Sequence, residues 1–173
     1  MKVIAFGASS SKNSINKKLA FYVANQIEGA QIELLDINDY EMPLYSEDRE
    51  KELGLPALAQ QFYQKLGEAD VIVVSFAEHN ASYTAAYKNL FDWTSRIDMK
   101  VFQNKPMIML ATSPGAGGAS HVLSTAQESA VFFAGKVKGA VSVANFYDNF
   151  DVETGRLTNE KLVREIQEII ATL

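Results

Sequence analysis

Two short stretches constrain this chain most: Val71-Ile72-Val73-Val74 and Met107-Ile108-Met109-Leu110. Neither alternates apolar with polar residues. A strand that is apolar on both faces belongs inside a parallel sheet covered by helices on each side. The rest of the chain agrees. Val3–Phe6, 31–35 and 137–143 read as three further strands. Between them the apolar spacing turns helical: residues 15, 19, 20, 23, 24 and 27 share one side of a helix. Helices are also predicted over 56–66, 83–97, 120–133 and 159–172, the first with Pro56 in its opening turn. Residues 36–55 read as polar and irregular, broken by Pro43 and Gly54. Strands alternating with helices of this length predict an α/β fold with a parallel sheet.

Five strands in 173 residues suit a flavodoxin-like three-layer sandwich with strand order 2-1-3-4-5. That order is the common choice for this count of elements; periodicity does not dictate it. A chain of this length forms one domain and buries roughly 70% of its unfolded surface. It needs no staples, and it contains no cysteine. That excludes thiol nucleophiles, disulfides and thiolate metal centres. The two histidines, His79 and His121, lie in separate segments, so no metal site is expected. The net charge of −5 gives no general attraction to nucleic acid or to anionic membranes. No apolar run approaches the ~20 residues of a membrane span. Met1–Phe6 runs straight into Gly7 and reads as a first strand, not a leader. A cytoplasmic setting is the expectation.

In a sheet of this type, ligands bind beyond the carboxyl ends of the strands. That rule selects the loops after strands one, three and four. The first runs Gly7-Ala8-Ser9-Ser10-Ser11-Lys12-Asn13-Ser14-Ile15-Asn16. It offers four hydroxyls at a helix N-terminus, where free N–H groups and the helix dipole favour an anion such as phosphate. Lys12, Lys17 and Lys18 add positive charge. An ordinary Ser/Asn cap also fits these residue types, though four serines within six positions exceed what a cap needs. The loop matches neither GxGxxG nor GxxxxGK[ST]. The second loop, Ser75-Phe76-Ala77-Glu78-His79-Asn80-Ala81-Ser82, is either a polar binding edge or a loop capped by Ser82. A Ser-His-Glu hydrolase is disfavoured, since the three groups crowd one loop and no G-x-S-x-G elbow is present. The third, Thr112-Ser113-Pro114-Gly115-Ala116-Gly117-Gly118-Ala119, either admits a flat ligand against bare backbone or simply turns into a helix.

Together these loops resemble the NAD(P)H-dependent FMN reductase family, which includes bacterial quinone, azo and chromate reductases. Three motifs carry the resemblance. Ala8-Ser9-Ser10-Ser11-Lys12-Asn13-Ser14-Ile15-Asn16 is similar to the family's phosphate loop. Ala77-Glu78-His79-Asn80-Ala81-Ser82, continuing to Tyr87-Lys88-Asn89-Leu90-Phe91-Asp92-Trp93, is similar to its P-E-Y-N-x-S and L-K-N-x-x-D-W stretches. Ser113-Pro114-Gly115-Ala116-Gly117-Gly118 is similar to its glycine-rich loop. Ser11 stands where an arginine is usual, His79 where a tyrosine is, and Ala77 where a proline is. The third loop is one residue shorter.

The resemblance implies one FMN-binding domain over residues 1–173. Ser9, Ser11, Ser14, Ile15 and Asn16 would hold the FMN phosphate. Glu78, His79 and Asn80, largely through backbone, would line the ring, and Ser113, Gly115, Gly117 and Gly118 would wrap its other edge. Lys88, Asn89, Asp92 and Trp93 read as structural, the first and third as an i,i+4 ion pair. No side chain is assigned as catalytic, because flavin N5 carries the chemistry. Hydride would pass from NADPH or NADH to FMN, then two electrons to a quinone, flavin, azo or similar small-molecule acceptor, by a ping-pong cycle. The family also implies a homodimer or homotetramer; residues 145–155, rich in aromatics and acids, are the loop expected to reach a neighbour. A flavodoxin-like electron carrier is the alternative; a response-regulator module is disfavoured because Gly7-Ala8 and Ser75-Phe76 occupy the places of its acids.

Overall fold

The apolar runs build the sheet they predict. The computed structural model describes all 173 residues. In chain order the elements are β1 (Lys2–Ala8), α1 (Ile15–Ala24), β2 (Gln31–Leu35), α2 (Glu47–Leu53), α3 (Ala57–Glu68) and β3 (Val71–Phe76). There follow β4 (Glu78–His79), β5 (Ser82–Tyr83), α4 (Ala85–Thr94), β6 (Pro106–Thr112), α5 (Ser120–Ala130) and β7 (Lys136–Val143). The chain closes with α6 (Phe146–Asn149), β8 (Phe150–Asp151), β9 (Arg156–Leu157) and α7 (Glu160–Ile170). Five strands pair in parallel in the order β2-β1-β3-β6-β7. Counting only these long strands, that is the flavodoxin-like order 2-1-3-4-5.

Strand alternation splits the core in two. Ile4, Phe6, Ile72, Val74, Met107 and Met109 face α3, α4 and α5. Val3, Ala5, Val71, Val73, Ile108 and Leu110 face α1 and α7. Both faces of the central strands are therefore dry, and each fully buried aliphatic side chain contributes about 1.5–3 kcal/mol. Gly7 is required by this packing. A Cβ there would sit 2.5 Å from Lys17 N, so α1 crosses closely over the end of β1.

Three segments differ from the sequence reading. Residues 36–55 contain a 3₁₀ turn (Ile37–Tyr40) and α2. Helix α2 buries none of its residues, so it leaves no apolar periodicity to detect. It forms because Ser46 caps Arg49 N at 3.1 Å, Lys51 pairs with Glu47, and Gly54 ends it with φ 70°. The helix predicted from residue 83 begins at Ala85, after the β4–β5 hairpin. Residues 145–155 fold back as α6 and part of the β8–β9 hairpin onto this chain's own α1. Phe150 meets Tyr22 edge-on at 5.9 Å and stacks on Phe146 at 4.7 Å. No helix is long and apolar enough to cross a membrane.

Candidate functional site

The loops after β1, β3 and β6 meet at the carboxyl edge of the sheet, around a cleft of about 280 Å³. Ser9, Ser11, Ser14, Ile15, Asn16, Glu78, His79 and Ser113 line it. Asn80, Gly115, Gly117 and Gly118 do not, although each belongs to a loop that does.

One wall is the N-terminus of α1. Ser14 caps the helix by accepting from Lys17 N at 3.1 Å. The N–H groups of Ile15 and Asn16 come before the first intrahelical donor, Lys18 N, and have no acceptor within the helix. Ser9 Oγ accepts from Ser11 N at 3.2 Å and steadies the turn. Helix α1 has no acidic residue in its first turn. Among the lysines of this segment, Lys17 is drawn to Asp36. Lys18 lies in a separate groove beside the β8–β9 hairpin. Lys12 remains exposed on the loop.

The floor is a polar chain across the strand ends. Asn16 is 2% exposed. Its Oδ1 accepts from Ser75 Oγ at 2.7 Å and from Thr112 N at 3.1 Å, while its Nδ2 donates to Thr112 O at 3.1 Å. Thr112 Oγ1 continues to Val143 O at 2.6 Å. The side chain expected to hold a ligand phosphate is thus committed to the fold.

The second wall is the β4–β5 hairpin. Asn80 and Ala81 form its turn, with φ 52° and 60°. Both left-handed, they match the turn that joins two-residue hairpins. His79 is exposed beside this turn. Glu78, which lines the cleft, turns its carboxylate toward α5. Oε2 accepts from Val122 N at 2.8 Å, and Oε1 lies 3.7 Å from His121 Nδ1. Thr84, at the start of α4, donates to Ala8 O at 3.0 Å and joins this wall to the end of β1.

The third wall is the glycine-rich loop. Ser113 O and Gly115 O accept from Phe146 N (3.1 Å) and Asn145 N (2.9 Å). Gly118 has φ 57°, and a Cβ there would sit 2.4 Å from Ser142 Oγ. Gly115 and Gly117 face open space. The sequence reading missed Tyr147, which lines the cleft and is exposed. Its signal was available: β7 ends at the same edge, so the segment following it belongs to the ligand face.

The residues singled out as structural behave so. Lys88 Nζ binds both Asp92 oxygens, at 2.6 and 2.8 Å. Asn89 accepts from Tyr45 N at 2.8 Å, and Trp93 Nε1 donates to Pro43 O at 2.7 Å, so α4 clamps the segment before α2. A second cavity of about 280 Å³ lies between α4 and α5. Its wall of Phe76, Tyr83, Tyr87, Phe91 and Phe133 is apolar, and it holds none of the expected site residues.

The edge cleft therefore combines free N–H donors and hydroxyls, with a glycine-rich loop continuing from its rim and no acid in the first turn of α1. These groups fit the phosphate and the flat ring of a flavin mononucleotide. Comparison with known proteins agrees. The profile of the NADPH-dependent FMN reductase family matches residues 1–148. An NAD(P)H-dependent FMN reductase of Pseudomonas aeruginosa is 29% identical over 176 residues, spanning 100% of this chain and 93% of the relative. An NADPH:quinone oxidoreductase of Arabidopsis thaliana is 28% identical over 180 residues, covering 100% and 90%. The solved structure of FerB, a flavoenzyme NAD(P)H:(acceptor) oxidoreductase from Paracoccus denitrificans, superposes with TM-score 0.79 at 23% identity, covering 99% of this chain and 93% of that one. That last likeness concerns the fold.

Proposed function

Because the chain belongs to the NADPH-dependent FMN reductase family, we propose that the edge cleft seats FMN and that a quinone-type molecule takes its electrons. The protein is an NAD(P)H-dependent flavin oxidoreductase with FMN as cofactor. When bound, FMN supplies the two-electron chemistry, accepting hydride from the nicotinamide and passing it on.

The chain's own groups do the rest. Ser9, Ser11, Ser14 and the N–H groups of Ile15 and Asn16 hold the phosphate at the positive end of α1. Charge there comes from the helix and from Lys12, since Ser11 offers no guanidinium fork. Backbone of Glu78, His79 and Asn80 lines one edge of the ring. Ser113, Gly115, Gly117 and Gly118 line the other, where bare backbone allows close approach. N–H groups in these two loops stabilise negative charge on the reduced ring, as oxyanion donors do. The observation that carries this reading is the undercharged, hydroxyl-rich N-terminus of α1 opening into the cleft.

His79 and Tyr147 both line the cleft and are exposed. A binding face shared by reductant and acceptor would require the reductant to leave before the acceptor enters, as in a ping-pong cycle. Relatives named as quinone reductases support the quinone class. Residues 1–173 act as one domain, in the cytoplasm, with a small-molecule partner and no nucleic acid or membrane. Self-association into a homodimer or homotetramer is supported by Met99, Val131 and Phe132, exposed on the α4–α5 side.

The test is the visible spectrum of the purified protein with FMN, followed by anaerobic NADH or NADPH and then a quinone. Flavin absorbance is expected to bleach within the turnover time and return on adding the quinone. Bound flavin that neither nicotinamide bleaches would overturn the reading. A solution mass of one 19.1 kDa chain would remove self-association.

A further inference from the structure

We propose that Glu78 is a positioning residue: its carboxylate locks the β4–β5 hairpin to the first turn of α5, fixing the gap between the two loops that enclose the ring and holding a negative charge beside it. The inference rests on the FMN reading above.

The hairpin cannot hold its own place. Each of its strands is two residues long, and isolated hairpins are marginal even at greater length. Its turn contains two left-handed residues, one of them Ala81, which lacks glycine's freedom. Something outside the hairpin must fix it.

Helix α5 also lacks a partner of its own. Ala119 occupies its N-cap, with φ 58° and no side-chain hydrogen bond. Every other helix long enough to need a cap and opening near this edge has one: Ser14 serves α1 and Thr84 serves α4. Val122 is completely buried, so water cannot satisfy its N–H. Glu78 supplies the missing acceptor from 44 residues away, at 2.8 Å. Its side chain is 19% exposed, which keeps the charge sheltered. Tyr83 Oη and Ser129 Oγ, 3.4 Å apart, add a second tie between the hairpin and α5 farther from the edge.

One bond therefore does two things. It sets where the hairpin backbone stands relative to the glycine-rich loop, because that loop runs directly into α5. It also places a carboxylate on the positive end of α5, which would otherwise favour negative charge on a reduced ring. Removing the tether loosens the gap. Removing only the charge leaves the gap and makes the ring easier to reduce.

Glu78→Ala and Glu78→Gln separate these effects. Gln keeps an oxygen that accepts from Val122 N–H but carries no charge. FMN affinity is measured by flavin fluorescence, and the midpoint potential of the holoenzyme by dye equilibration. Glu78→Ala is expected to weaken FMN at least tenfold. Glu78→Gln is expected to bind within threefold of wild type, with the reduced-to-oxidised ratio at a given potential raised about tenfold, which is 29.6 mV for a two-electron couple. Unchanged affinity in Glu78→Ala overturns the positioning role. Unchanged potential in Glu78→Gln overturns the charge role, and decides the matter alone if Glu78→Ala fails to fold. If wild type itself binds no FMN, the functional reading fails rather than this one.

Discussion

Ser75 Oγ donates a 2.7 Å hydrogen bond to Asn16 Oδ1, and so ties the end of β3 to the first turn of α1. The same oxygen accepts from Thr112 N, at the end of β6. Asn16 is therefore the knot beneath the cleft. Asn16→Ala strands the Ser75 hydroxyl and the Thr112 N–H. Each unsatisfied buried group costs about 1–3 kcal/mol. Asn16→Asp is worse, since its second oxygen faces Thr112 O and its charge has no partner; about 3–5 kcal/mol is expected. Urea unfolding checks both. An Asn16→Ala protein as stable as wild type would show that the knot bears no weight.

The glycine-rich loop contains glycines of two kinds. Gly118 combines a left-handed backbone with a contact that no Cβ tolerates, 2.4 Å from Ser142 Oγ and 3.0 Å from Ala144 N. Gly118→Ala is expected to cost about 2–4 kcal/mol, from backbone strain plus overpacking. Gly115 has no atom in reach of a Cβ, and its φ is not left-handed. Gly115→Ala should stay within about 0.5 kcal/mol of wild type in stability. If the glycine has a functional use, it shows as weaker FMN binding. Thermal unfolding with and without FMN separates the two cases.

The sheet was legible because Val71–Val74 and Met107–Leu110 bury both faces, and continuous apolar runs this short between helical stretches read as covered strands. The site edge followed from that topology, and three loops that sequence could only associate do meet there. What stayed hidden depends on where side chains aim. Asn16 is polar and near a helix start, which suits a phosphate ligand and a structural knot equally. Glu78 lies in a ring-edge loop, yet its carboxylate serves a helix 44 residues on. Lys17 adds charge to the phosphate loop by position, yet Asp36 takes it. Helix α2 was invisible because it is held by its caps and buries nothing. The β4–β5 hairpin was invisible because Asn80-Ala81 replaces the Asn-Gly pair that marks such turns.

That replacement is itself testable. Ala81 sits at φ 60°, where an L side chain costs about 1–2 kcal/mol. Ala81→Gly removes this strain but adds freedom to the unfolded chain, worth about 0.4–1 kcal/mol in the other direction. A net gain of about 0.5–1 kcal/mol is expected. In a chain of this size it raises the melting midpoint by about 1–4 °C. A lowered midpoint in Ala81→Gly would mean that the hairpin draws its order from the tether at Glu78, and that turn strain is immaterial.

Acid stability is expected to depend on Asp36. Burial pushes its pKa up, but the hydrogen bonds from Lys17 and from Asn38 outweigh burial and hold it below the ordinary aspartate value. A carboxylate depressed in the folded state contributes stability above its unfolded pKa, about 3.9. That contribution disappears as pH falls from there through the folded value. Lys17→Met keeps the aliphatic stem and removes the ammonium. The variant should be about 1 kcal/mol less stable than wild type at pH 7. The gap should narrow as pH falls from about 3.9 through the depressed folded value, and close only where Asp36 is protonated in both states. Denaturant unfolding at pH 7, 5 and 3 reads it directly. A gap independent of pH would assign the effect to packing of the Lys17 stem.

His79 stands at the cleft mouth with its side chain exposed, in the position where the resembling family carries tyrosine. Its backbone is held by the pairing with Ser82, so the ring edge does not depend on its side chain. His79→Tyr should therefore leave FMN affinity within about threefold, a change of less than 1 kcal/mol. An acceptor entering by that mouth meets the imidazole directly. Tyrosine offers a larger apolar face and a distant hydroxyl, which favours flat quinones over small or anionic acceptors. The ratio of kcat/KM for a benzoquinone to that for ferricyanide is expected to rise at least fivefold, through the acceptor half-reaction alone. The rate of reduction by the nicotinamide, measured on the same variant, is the internal control. A change in both half-reactions by the same factor would mean that His79 shapes the mouth without choosing the acceptor. Unchanged ratios, with FMN still bound, would place the acceptor on the Tyr147 side of the cleft instead.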